Sequence, residues 1–269
     1  MSVPMMLVAL FSGVVLLFIL LRLFVEPLYI LIYNRPMFLY WYPIPKKLSH
    51  KQKIILEREF SFYRRLDNRR KSYFEHRVKS FLIHYKFVGK EMAITDEVKI
   101  LTAGTYVMLT FGFRNYLVPL FSKIIFYPTP YYSTLNEQYH KGEFNPRMKA
   151  VVFSWEDFVS GHQTANNVNL GLHEFSHALH FHAIKSNDPS ASIFYDEFNQ
   201  VANYFHDAGL NNQLYEKNYF RDYAYENQFE FLAVLLEHFF ETPQVFKAEF
   251  PDLFERVRSM VNIDEKLLH

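Results

Sequence analysis

The residues His173-Glu174-Phe175-Ser176-His177 place two imidazoles four positions apart, with a carboxylate directly after the first. On a helix, positions i and i+4 stand one turn apart on the same face. Two imidazoles so placed can meet one zinc ion at ~2.0–2.1 Å. Glu174 then sits beside the ion's open position. From there a carboxylate takes a proton from zinc-bound water and hands it to a leaving amine. The bland alternative is a buried helix with two incidental histidines. A catalytic zinc takes three protein ligands and a water. The chain has no cysteine, so the third ligand must be His or carboxylate. His180 shares the face, but at i+7 it stands about 10.5 Å along the axis from His173, too far for one ion. His180 and His182 therefore read as surface, packing or ligand-orienting residues. The longer HExxHxxGxxH pattern fails, because neither its Gly nor its third His occurs here.

A later apolar helix, Asn227 to Glu241, offers Glu226, Glu230, Glu237 and Glu241. Glu230 lies amid Phe229, Phe231, Leu232, Ala233 and Val234. A carboxylate in such a stretch is costly to bury unless paired or metal-bound, which ranks Glu230 first. Glu237 shares its face at i+7 and, with Glu226, ranks behind it. The motif helix has Leu170, Leu172, Phe175, Ala178 and Leu179 to bury, and Asn166, Asn167 and Asn169 as candidate caps.

Around these, apolar residues at helical spacing from Ser49 to about Val88 predict two helices. Val98 to Phe111 predicts a buried helix behind Thr95-Asp96-Glu97, whose acidic residues suit the helix dipole. Lys123 to Tyr127 and Ala150 to Trp155 predict short strands, with a turn at Glu143 to Arg147. The order predicts an α+β domain, mostly helical with a small sheet.

The chain of 269 residues has a net charge of only +1, which argues against a uniformly basic nucleic-acid binder. The average hides a segregation. Residues 3 to 21 carry no charge, close to the ~20 residues a helix needs to cross the hydrocarbon core. Residues 34–90 hold 15 Lys/Arg against 4 Asp/Glu, and residues 91–269 hold 13 against 23. A cleaved signal peptide is the weaker reading, because no Lys or Arg precedes Arg22 and the apolar run is long. Arg22, Arg35, Lys46, Lys47, Lys51 and Lys53 all follow the span. By the positive-inside rule the N-terminus is outside and the body cytoplasmic. The expected division is a membrane anchor at 1–33, a basic juxtamembrane linker at 34–53 and a catalytic domain at 54–269. The cluster Arg64, Arg65, Arg69, Arg70, Lys71 reads first as a solvated helix face, then as contact with anionic lipid. No nucleic-acid motif accompanies it. Aromatics are abundant, with 29 Phe, 19 Tyr and 2 Trp, and most read as core.

Several blocks in order resemble the Mlc titration factor A family of zinc-dependent peptidases. They are Phe62-Tyr63-Arg64-Arg65-Leu66, Ala93-Ile94-Thr95-Asp96-Glu97, Tyr127-Pro128, and Val152-Phe153-Ser154-Trp155 followed by Gly161. Asn169 with Leu172 to His177, Tyr223-Ala224, Glu230 to Val234, Glu237, and Phe239-Phe240 complete the set, which spans roughly residues 55–260. The resemblance implies a zincin-like, gluzincin-type fold, with zinc bound by His173, His177 and Glu230. It implies Glu174 as general base and Tyr223 as a donor to the oxyanion, a role open to a phenol O–H. It also implies aminopeptidase-like action on short peptides, and together with the uncharged N-terminal span it leads to the expectation of a single-pass protein of the bacterial inner membrane. The alternative it carries is a regulatory binding protein that sequesters a transcriptional repressor or other partner at the membrane. Two departures stand out: His180 where the family usually has Asp, and Gly171 where it has a β-branched residue.

Overall fold

The uncharged N-terminal run forms helix α1 (Val3–Leu20), with no buried residue in it. The computed structural model describes residues 3–133 and 137–268. A π-helical turn (Leu21–Val25) joins α1 to α2 (Glu26–Tyr33), so that one helical rod runs from Val3 to Tyr33. It is the candidate membrane span among the described residues. Asn34, in the left-handed conformation, ends it. The rod is tied to the domain by the buried Glu26, which pairs with Arg114, and by Asn34 Nδ2, which donates to Glu197 Oε1 at 2.8 Å.

Residues 35–49 run without regular structure across the domain before α3 (His50–Glu59), which Ser49 and Gln52 start with a reciprocal capping pair. The two helices expected up to Val88 are three: α3, α4 (Ser61–Arg65) and α5 (Asn68–His84), followed by strand β1 (Lys86–Gly89). The first break falls at Phe60, which is extended and buried instead of continuing the helix. Leu66 and the capping Asp67 make the second. One member of the basic stretch is no solvated charge. Arg77 is fully buried and donates to the carbonyls of Thr110, Phe111 and Phe113 at 2.7–3.0 Å, to Leu39 O at 3.3 Å and to Tyr42 Oη at 2.8 Å. Satisfying its guanidinium in this way makes the burial tolerable.

Helix α6 (Asp96–Leu109) crosses from β1 to β2 (Lys123–Tyr127). A small hairpin of β3 (Tyr131–Ser133) and β4 (Gln138–His140) precedes β5 (Gly142–Asn145) and β6 (Ala150–Ser154). The main sheet has the order β1-β2-β6-β5, parallel except for the antiparallel edge strand β5. Burial of both faces explains why β6 reads as an unbroken apolar run. The expected turn at Glu143 to Arg147 is displaced, because Glu143 to Asn145 pair with β6 and the chain turns after them. Trp155 opens α7 (Trp155–Gln163) instead of closing the strand.

The rest is helical: α8 (Leu170–Lys185), α9 (Pro189–His206), α10 (Ala208–Lys217), α11 (Gln228–Glu241), α12 (Pro243–Glu249) and α13 (Pro251–Val261). Helix α8 lies between the sheet and α11, and its Phe175 packs on Phe121, Phe153 and Tyr106. The aromatic excess is thus largely core, as read from composition.

Candidate metal and active centre

Helix α8 starts at Asn169, whose Oδ1 accepts from Leu172 N at 3.0 Å. Its Nδ2 donates to Gly161 O at 3.3 Å and to Glu241 Oε1 at 3.0 Å, tying the start of α8 to α7 and α11. Of the three asparagines considered, Asn169 is the cap. Gly171 answers to packing: a Cβ there would stand 2.7 Å from the Phe158 ring, so glycine lets α8 seat against α7.

One turn apart on α8, His173 and His177 bring their Nε2 atoms to 3.2 Å. Glu230, in the first turn of α11, sets Oε2 at 3.0 Å from His173 Nε2 and 3.6 Å from His177 Nε2. Buried Oε2 has no well-aligned hydrogen bond despite these short distances. These three residues form a group able to hold a metal ion among the described residues. Burial works against charge on Glu230, but the imidazoles of His173 and His177 beside it hold its carboxyl well below the usual range. Burial likewise opposes charge on His173, yet Glu230 and Glu237 push its pKa up to about 10. A divalent cation at Nε2 answers the same negative surroundings as that proton.

Glu237 is not the third donor. It is 1% exposed and sits behind His173, with Oε1 2.8 Å from Nδ1. A carboxylate there keeps the proton on Nδ1 and the Nε2 lone pair toward the site. Arg221 holds Glu237 from the other side at 2.5 and 2.9 Å and reaches Asn167 O. The sequence reading set Glu237 among the ligand candidates and did not pick Arg221. The signal for Glu237 was there: it is embedded in Leu235, Leu236 and Phe239 as Glu230 is in its own neighbours. Arg221 has no such local mark. We expect Glu237→Ala to weaken metal affinity about 10–100-fold, measured by competition with a chelating dye, while Glu237→Gln recovers part of it by keeping an acceptor opposite Nδ1.

Glu174 is buried beside β5, where Phe144 N donates to its Oε2 at 2.8 Å. Burial raises its pKa, and the His173 and His177 charges oppose that. Gly142 makes the approach possible, since a Cβ there would stand 2.9 Å from Glu174 Cγ. Neither β5 nor Gly142 was read as part of the site from sequence, although a glycine inside a strand marks a close approach. Tyr223, on a 3₁₀ turn (Asp222–Tyr225), places its ring 5.7 Å from that of His173. Partial burial, then the negative charge of Glu230, raise its pKa above the usual phenol range. A cavity of about 410 Å³ opens over the site between Tyr139, Gly142, Glu174, His173, Tyr223 and Arg221. His180 belongs to the packing: it is 2% exposed, its ring lies 4.2 Å from Phe198 and 4.9 Å from Phe229, and burial lowers its pKa to about 4. Glu226, the remaining carboxylate option, is exposed.

The profile of the glucose-regulated metallo-peptidase M90 family matches residues 43–261. The chain belongs to that family. The matched region contains α8, α11 and the whole His173, His177, Glu230 group. Curated relatives named Mlc titration factor A, from Escherichia coli strains SMS-3-5 and 55989 and from Shigella flexneri, are 30% identical over 115 residues. That stretch covers 39% of this M90 chain and 42% of each relative's own length.

Proposed function

We propose that the protein is a membrane-anchored zinc peptidase with a zincin-like catalytic domain facing the cytoplasm. The observation that carries this is the convergence of three donor atoms from His173, His177 and Glu230 at 3.0–3.6 Å from one another. Tetrahedral ligands ~2.0–2.1 Å from zinc stand about 3.3 Å apart, so the donor set fits zinc in both type and spacing. Zinc held there supplies a Lewis acid that brings the pKa of a water toward 7. Glu174, fixed by Phe144 N, accepts that water's proton and returns it to the leaving amine. The Tyr223 hydroxyl, which lines the same cavity, donates to the oxygen that gains charge as the peptide carbon becomes tetrahedral. Tyr139 to Gly142, leading into edge strand β5, line the cavity beside Glu174 and can hold an extended peptide there. Short peptides, cleaved in the manner of an aminopeptidase, are the substrates this reading favours.

A second reading draws on the relatives' name, which points to titration of a partner, Mlc. For this chain it means capture of a transcriptional repressor or similar partner at the inner membrane. Its acidic body, with 23 Asp/Glu against 13 Lys/Arg over residues 91–269, suits a basic partner. The test measures metal content and hydrolysis of short peptides on the purified full chain. The expected result is one zinc per chain and an activity lost to chelator and restored by zinc. A chain without zinc, or hydrolysis indifferent to chelation, overturns the peptidase reading.

A further inference from the structure

Phe38, Trp41 and Ile44 are 66, 79 and 88% exposed. Large apolar side chains grouped on a well-anchored segment mark a contact surface. The segment carrying them is not loose. Tyr40 Oη donates to Phe111 O at 2.8 Å, and buried Arg77 grips Leu39 O and Tyr42 Oη. With Tyr40 and Tyr42 thus fastened to the domain, Trp41 between them is turned outward.

What lies opposite identifies the occupant. A cavity of about 470 Å³ separates this segment from the N-terminal rod, with Phe38, Leu39 and Trp41 from one and Phe18, Leu21 and Arg22 from the other, while Glu26, Arg114 and Asn115 supply its polar lining. If residues 3–21 cross the bilayer, their ~28 Å of helix fills the ~30 Å hydrocarbon core. Phe18 and Leu21 then lie at its domain-side boundary. Trp41 and Phe38, facing them across the same cavity, lie at that depth too. Beyond the span the rod keeps an apolar outer face, with Leu23, Phe24, Leu28, Leu31 and Ile32 all at least 57% exposed while Glu26 faces the domain. That face suits an acyl and headgroup boundary better than water. Arg22, Arg35, Lys46 and Lys47 are exposed around it, at the level of anionic headgroups. Tryptophan favours this boundary because its ring is apolar with one polar N–H.

We propose that Phe38, Trp41 and Ile44 form a second membrane contact whose occupant is bilayer phospholipid, with acyl chains filling the cavity between this segment and α1. The domain is thereby seated on the membrane surface instead of hanging from a tether. This rests on the reading of residues 3–21 as a membrane span, and the test separates the two.

The chain has two tryptophans, so Trp155→Phe leaves Trp41 as the sole emitter. The full-length variant is reconstituted into phosphatidylcholine vesicles containing phosphatidylglycerol and recovered by flotation. The expected result is blue-shifted Trp41 emission, lost to lipids brominated high on the acyl chain and protected from aqueous acrylamide. Should the variant fold poorly, the difference between the unaltered chain and Trp41→Phe reports the same emission. A chain that floats with Trp41 open to acrylamide overturns this proposal and leaves the anchor standing. Blue-shifted emission that brominated lipid does not quench means a second copy or another protein covers the face, and also overturns it. A chain that does not float removes the anchor reading and this proposal together.

Discussion

Glu174→Gln is expected to keep its metal and lose peptide hydrolysis by about 10²–10⁴-fold in kcat, the usual contribution of a general base. The substitution is nearly isosteric, and its amide oxygen can still accept from Phe144 N, the bond that orients Glu174 at 2.8 Å. It adds no bulk against Gly142, where space is shortest. The three donor atoms of His173, His177 and Glu230 are untouched. What disappears is the capacity to take a proton. Burial raises the Glu174 pKa, which brings the carboxylate's basicity nearer the working pH and strengthens it for that task. Metal content by mass spectrometry and hydrolysis rates are read on the same preparation. Wild-type rates would remove Glu174 as the base. Loss of metal along with activity would mean that Glu174 binds the ion. Partner capture that survives the substitution with an unchanged cellular phenotype would favour the binding reading.

Parts of this centre are visible in the sequence because their cost is local. The His173 to His177 spacing is a property of one helix, and Glu230 stands out because its neighbours offer it no water. The strands β2 and β6 show as unbroken apolar runs because both faces are buried. Other parts depend on segments that meet only in the fold. β5 is four residues long and has no β-branched residue; it is a strand because β6 pairs with it and Glu174 receives its Phe144 N. Arg77 looks like one more charge in a basic stretch, yet its acceptors lie at residues 39, 42, 110, 111 and 113. Arg221 is equally silent, since its meaning is the Glu237 carboxylate sixteen residues later and the carbonyl of Asn167 far earlier. Tyr223 could be picked only by resemblance, because nothing local separates it from 18 other tyrosines.

Removing the carboxylate donor is expected to abolish stoichiometric metal binding. In Glu230→Ala only His173 and His177 remain, and two imidazoles on one helix leave an ion two short of the tetrahedral set. Four-ligand zinc sites in peptides bind with ~10–16 kcal/mol. Roughly 3 kcal/mol per ligand corresponds to a loss of about 10²-fold or more in affinity for one donor. The loss should exceed that of Glu237→Ala, which leaves every donor in place and only frees the His173 ring to turn. Glu230→Asp retains a carboxylate on a shorter stem and should bind at an intermediate level, because Oε2 already sits at 3.0 and 3.6 Å from the two Nε2 atoms. Glu226→Ala is the control: its side chain is exposed at the end of the 3₁₀ turn, and its removal should leave metal content unchanged. Isothermal titration with zinc on the four chains gives the order directly. If Glu226→Ala loses metal and Glu230→Ala keeps it, the donor set is misassigned. If all four bind alike, the ion is held elsewhere in the chain.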